Sequence, residues 1–235
     1  MTVAPHTGEM IRAAFAPHGL FLRGTVNFSS DETAPVLSSG ERAASVALIG
    51  NVGSSIWPAF RSWQEGRNDR GGADPLDAWS KAVIGPLAVE LGATAWFPSD
   101  LPWQPFQQWA MRSEGLRASP LGILIHPRYG LWHGYRGALG FARPLEGAEL
   151  LAPDHPPSCH PCDRCPDKPC LTRCPVVAVA ASGFDVPACR GHLRTQAGQA
   201  SCMLSGCLAR NACPVGVEHR YVEDQLRFHM AALGL

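Results

Sequence analysis

Nine cysteines lie in the chain, and all of them follow residue 158. Five fall within CHPCDRCPDKPCLTRCP, residues 159–175, spaced C-x2-C-x2-C-x4-C-x3-C-P. Cys189 follows, and then Cys202, Cys207 and Cys213 as C-x4-C-x5-C-P. A structural zinc site needs two Cys pairs across a loop. A 4Fe-4S cubane takes closely spaced thiolates plus a distant one, and in two-cluster ferredoxins the Cys before Pro serves the other cluster. Both halves here end in Cys-Pro, which zinc does not explain. The spacing favours one cluster on Cys162, Cys165, Cys170 and Cys213 and a second on Cys174, Cys189, Cys202 and Cys207. Cys159 is then spare, or takes the place of Cys170. Two cubanes with interleaved ligands would sit close enough to pass single electrons.

The rest of the composition narrows the setting. Twenty basic residues balance twenty acidic ones, so there is no basic excess to meet a duplex, and nucleic acid is not an expected partner. No apolar run reaches the eighteen or so residues of a spanning helix, and MTVAPHTGEMIRAAF lacks a secretory layout, so the expected setting is cytoplasmic, with no membrane partner. In a reducing compartment cysteines serve as metal or redox groups rather than disulfides, and nine is an odd number for a bridge framework.

The elements that must position these thiolates divide at LAPDHPPSC, residues 151–159, where three prolines break any periodic pattern. Residues 1–151 read as an α+β cofactor-binding domain, and 152–235 as a small two-cluster ferredoxin-like domain with a C-terminal helix. In the first, residues 9–16 read as a helix stopped near Gly19, and 20–28 and 44–50 as strands. The clearest helix starts at Asp74 as N-cap with Pro75 following, runs through Leu76, Trp79, Val83, Leu87 and Leu91, is kinked at Pro86 and ends at Gly92. A strand over 93–97 and a helix over 105–116 come next. The runs LGILIH and LWHGYRGALGF then read as two strands of a hairpin joined by the turn PRYG. The cysteine segment has too few apolar residues for a core of its own, so a metal must organise it. Val217, Val222, Leu226, Met230 and Leu233 mark the last helix.

Three stretches of the first domain can build a site. ALIGNVGSSIW, residues 47–57, runs from strand to helix, and the backbone around Gly50, Gly53 and Ser54 can meet a cofactor phosphate; an ordinary turn has the same letters. HPRYGLWHGYRG, residues 126–137, gathers His126, Tyr129, Trp132, His133, Tyr135 and Arg136 as a pocket wall, or as a half-buried hairpin with aromatic pairs. On strand geometry Trp132, Gly134 and Arg136 share one face, and His133 and Tyr135 the other. Trp57, Trp63, Trp79, Trp96, Trp103 and Trp109 are most simply core residues. Candidate proton donors are Tyr129 and His133.

The run QQWAMRSEGLRASPLGILIHPRYGLWHGYRGAL, residues 107–139, followed by the double Cys-Pro segment, resembles epoxyqueuosine reductases. The matching letters are Glu114-Gly115-Leu116-Arg117, Leu121 to Ile125, and Gly130-Leu131-Trp132. Reductive dehalogenases and CblC-type cobalamin-processing chaperones are similar more remotely. The resemblance implies a nitroreductase-like α+β domain that holds cobalamin, clusters that reduce the cobalt, and a proton-donating Asp for which Asp69 and Asp100 are the candidates. The C-x4-C and C-x5-C spacings are longer than in epoxyqueuosine reductases and the tRNA-binding repeats are not seen, so that reaction on tRNA is not expected. The expected function is transfer of electrons from a ferredoxin, flavodoxin or reductase through two 4Fe-4S clusters to cobalamin, for corrinoid processing or for reduction of a small molecule. Two alternatives stand beside it: a ferredoxin-type carrier that docks a partner, and a reductase with FMN in place of cobalamin.

Overall fold

The computed structural model describes residues 7–145 and 160–233. The proline-rich joint and Cys159 lie outside the described residues. In chain order the elements begin α1 (Thr7–Phe15), β1 (Phe21–Asn27), β2 (Ser45–Val52), α2 (Trp57–Glu65), α3 (Pro75–Glu90), β3 (Thr94–Trp96) and α4 (Phe106–Glu114). Two short strands, β4 (Arg117–Ala118) and β5 (Leu124–Ile125), precede the long β6 (His133–Phe141). The hairpin β7 (Val179–Ala180) and β8 (Gly183–Phe184) leads to α5 (Val186–Leu193), α6 (Gln196–Gln199), α7 (Cys202–Ser205), α8 (Leu208–Asn211) and α9 (Glu223–Ala231).

These elements fall into two compact units, one made of residues 7–115 and 134–145 and the other of 116–133 and 160–233. The second unit is therefore not the contiguous block after residue 151 that the sequence suggests, because it also takes in 116–133. The reason is hydrophobic: Leu121, Ile125 and Leu131 from that stretch form one core with Val179, Ala209 and Cys213, and Cys162, Cys170, Cys174 and Cys207 pack against it. The cysteine segment obtains the apolar partners it lacks from an earlier part of the chain.

The first unit is built on a four-stranded sheet of order β1-β2-β6-β3. β1 pairs antiparallel with β2, and β3 with β6. Ala44 donates to Phe141 O at 2.8 Å while Gly50 lies against Gly134 O, so β2 and β6 are antiparallel as well. β2 reads as a continuous apolar run because it is buried along nearly its whole length, with Val46 to Ile49 at 0% exposure. At Gly50 the strands approach so closely that a Cβ would stand 2.2 Å from Gly134 O. α3 begins at Pro75 as its sequence suggests, but the Asp74 side chain accepts no capping hydrogen bond. Its Trp79 is fully buried and meets Phe60 of α2 edge-on at 6.0 Å, a contact worth about 1 kcal/mol beyond the area it buries. Trp109 also belongs to the core, whereas Trp103 is 75% exposed and corrects the assignment of all six tryptophans to it.

The hairpin expected over 121–141 does not form. β5 pairs instead with β4, Arg117 opposite Ile125 and Ala118 opposite Leu124. PRYG closes only an isolated bridge between His126 and Gly130, and β6 is claimed by β2 and β3. Trp132 precedes β6, so the shared strand face expected for Trp132, Gly134 and Arg136 is absent.

The second unit consists of short pieces. Besides β4 with β5, Val179 pairs with Phe184 and Ala180 with Gly183 in β7 and β8. α5 starts where the Asp185 carboxylate accepts from Ala188 N at 2.9 Å, a cap worth about 1 kcal/mol. The expected C-terminal helix from 217 is split into a single 3-10 turn, Val217–His219, and then α9, which packs on α7.

Candidate metal centres

Proline starts each of the two turns that present the leading thiols. Cys162 lies on the 3-10 turn Pro161–Arg164 and Cys170 on the 3-10 turn Pro169–Leu171; a fixed proline φ helps to set such turns before any metal arrives. Burial pushes the Cys162 thiol up to about 11, and the neighbouring charges of Cys213, Cys170 and Cys165 act in the same direction. Burial also raises Cys170, with Cys213 and Cys165 adding to it, and raises Cys213, next to Cys165. These mutual influences hold within one group: Cys162, Cys165, Cys170 and Cys213.

A second group forms by the same criterion. Cys189 is raised by burial and then by Cys207, Cys174 and Cys202, and Cys207 by burial, with Cys202 and Cys174 contributing. These four thiols border a single cavity, together with Val179, Phe184, Met230 and other apolar side chains. Backbone amides reach sulfur in both groups. Ala178 N donates to Cys174 Sγ at 3.3 Å, the Val215 amide works against the rise at Cys213, and those of Arg210 and Ala209 against the rise at Cys207. Raised thiols are neutral at pH 7, so binding of a metal through them must release protons. Among the described residues no three His, Cys, Asp or Glu side chains gather as the ligands of one metal ion. Sulfurs around a single zinc stand about 3.8 Å apart, given bonds of about 2.3 Å in a tetrahedron; a cubane takes each thiolate on a different iron and spreads them further.

The loop that carries four of the expected pocket residues is part of this second unit. His126 is 8% exposed, and its Nδ1 accepts from Arg128 N at 3.0 Å and Tyr129 N at 3.1 Å, which places the proton of the neutral ring on Nε2. Tyr129 stacks on His126 at 4.2 Å and meets His219 edge-on at 5.1 Å. His133 Nε2 lies 3.2 Å from Leu124 O. Trp132 is 0% exposed, with the Arg210 guanidinium 4.4 Å from its ring and Tyr221 edge-on at 5.4 Å. Arg210 also donates to Leu131 O, so a residue between Cys207 and Cys213 clamps the Gly130-Leu131-Trp132 turn. Backbone meets backbone here: Gly130 has φ +58° and a Cβ on it would stand 1.9 Å from Val215 O, two residues beyond Cys213.

In the first unit the stretch from Gly50 to Ser54 closes on itself. Asn51 Nδ2 donates to Gly53 O at 3.0 Å, Gly53 has φ +53°, and the amides of Val52, Ser55 and Trp57 are spent on the turn. A more elaborate arrangement surrounds it. Arg23 of β1 donates to Glu114 Oε2 of α4 at 2.8 Å and to Asn51 O at 3.0 Å, and Tyr135 OH of β6 donates to Glu114 Oε1 at 2.6 Å. The ion pair is buried, at 4% and 7% side-chain exposure. Burial, then the Glu114 carboxylate, holds the Tyr135 phenol far above its ordinary value, so it remains protonated. Sequence reasoning missed this network, although Glu114 stands within the EGLR match and Tyr135 within the HGYRG run. Arg136 lies half-buried on β6. The alternative proton donors are at the surface: Asp100 pairs with Lys81 at 2.6 Å, and Asp69, lowered chiefly by the Gly71 amide, pairs with Arg67.

The architecture is mixed α+β, of the kind seen in CblC. No protein-family model and no curated protein matches the chain. Among solved structures, the C. elegans B12-trafficking protein CblC, a human MMACHC homologue, is similar in fold: the TM-score is 0.53 at 14% identity, over 94% of this chain and 89% of that one.

Proposed function

We propose that the second unit holds two 4Fe-4S clusters, one on Cys162, Cys165, Cys170 and Cys213 and one on Cys174, Cys189, Cys202 and Cys207, and that they deliver electrons to a cobalamin carried by the first unit. The observation behind this reading is the segregation of eight thiols into two groups of four, the second around one cavity. Cubanes supply single-electron steps at potentials set by hydrogen bonding and burial. The chain's own part is to keep the thiols apart from one another, supply amide donors to sulfur and enclose the second site in apolar side chains.

Cobalamin is suggested by the fold shared with a B12-trafficking protein. Gly50 and Gly134 meet on adjacent strands, so neither contributes a side chain there, and the adjoining stretch to Arg136 is half-buried. Arg136 would hold the group, with the self-closed turn of Gly50, Gly53 and Ser54 beside it, and the Arg23–Glu114–Tyr135 network would keep the neighbouring strands rigid. The role is cobalamin reduction and processing, fed by a ferredoxin, flavodoxin or reductase.

Titration with cob(II)alamin under nitrogen tests this. The expected result is a shift in the corrinoid spectrum on binding and reduction of the cobalt once the clusters are reduced. An iron-sulfur spectrum with no corrinoid response would overturn the cobalamin assignment in favour of a carrier, and a yellow, heat-released fluorescent cofactor would replace it with flavin.

A further inference from the structure

α5 carries Cys189 and, three residues later, His192, a spacing that puts both side chains on one face of the helix. His192 borders the cavity ringed by Cys174, Cys189, Cys202 and Cys207. Its Nε2 is buried and has no hydrogen-bond partner. Buried polar groups are as a rule paired, and leaving one unsatisfied is costly. Apart from His192 and the sulfurs of the four cysteines and Met230, the side chains around this cavity carry no polar atom. The side-chain acceptors that this cavity offers to an N–H at that position are therefore sulfurs.

We propose that His192 donates a hydrogen bond from Nε2 to a sulfur of the cluster held by Cys174, Cys189, Cys202 and Cys207, and so raises the reduction potential of that cluster relative to the same site without the bond. This rests on the cubane reading given above. One-electron reduction adds a negative charge to the cluster, and a fixed N–H donor stabilises the reduced form more than the oxidised one. No covalent bond forms or breaks; the imidazole makes the second cluster easier to reduce than its burial alone would allow.

The test is an anaerobic redox titration followed by electron paramagnetic resonance on the full chain and on His192→Leu and His192→Gln. The Leu variant is expected to lower the potential of one cluster by about tenfold in its one-electron equilibrium, about 59 mV, and leave the other unmoved. The Gln variant, which keeps an N–H donor, recovers most of the shift. A Leu variant with wild-type iron content and two unmoved potentials overturns the proposal and leaves the cubane reading intact. Wild-type protein without iron and sulfide overturns both. If the Leu variant does not retain its second cluster, the wild type labelled with 15N-histidine decides: a weak nitrogen coupling to one reduced cluster supports the bond, and no coupling overturns it.

Discussion

Glu114 shows how much can turn on one buried side chain. Its two oxygens are divided between the Arg23 guanidinium and the Tyr135 hydroxyl, so three elements of the first unit meet at a single carboxylate. Removing one partner of such a pair leaves an uncompensated buried charge and costs about 3–5 kcal/mol. Glu114→Ala is therefore expected to lower the unfolding free energy by about that amount, measured by urea denaturation, while a loss below about 1 kcal/mol, the range of exposed ion pairs, would mean that water screens the pair. None of this was legible in the sequence: Arg23 and Glu114 stand 91 residues apart, and nothing in either neighbourhood marks it as a partner. The cysteines differ in kind. Their spacing shows which are neighbours along the chain, and the Cys-Pro endings indicate that each group draws one thiol from the other half. His192 has the same short-range signal, Cys-x-x-His, but without a cavity around it that spacing is only a helical coincidence.

Elements were legible where one face faces a core. α3 with its Pro75 start, α4, β1 and β2 lie within a residue or two of their sequence-based bounds. The failure came at 121–141, because an apolar run such as Leu121 to Ile125 has the same composition whether it pairs as a strand or fills a core. The structure uses Leu121 and Ile125 as packing for the cysteine segment, which leaves only Leu124–Ile125 as strand. The turn after it is fixed by close approach. A methyl group on Gly130 would collide with Val215 O, beyond Cys213, and the backbone there is left-handed. Gly130→Ala is expected to displace the Cys213 segment and, on the proposed two-cluster reading, to cost the protein the cluster of that group, so that iron content falls toward half and the resonance of the other cluster persists. Full iron content in this variant would show that the loop tolerates the shift and does not position Cys213.

At the scale of the molecule, two units of different construction share one chain: a sheet-based α+β unit, and a unit of short helices and hairpins whose small core is shared with its thiols. Among the described residues no helix is long and apolar enough to cross a membrane. The α+β character follows from alternating periodicities and was legible. The division of the chain was not, because the second unit recruits residues 116–133 through packing that no composition change marks. Everything assigned to the second unit depends on what its eight thiols bind. Anaerobically purified protein, analysed for metal and acid-labile sulfide, tests that most directly. Two cubanes predict about eight irons and about eight sulfides per chain; fewer than about four irons with no labile sulfide, or about two zinc ions in their place, would contradict it.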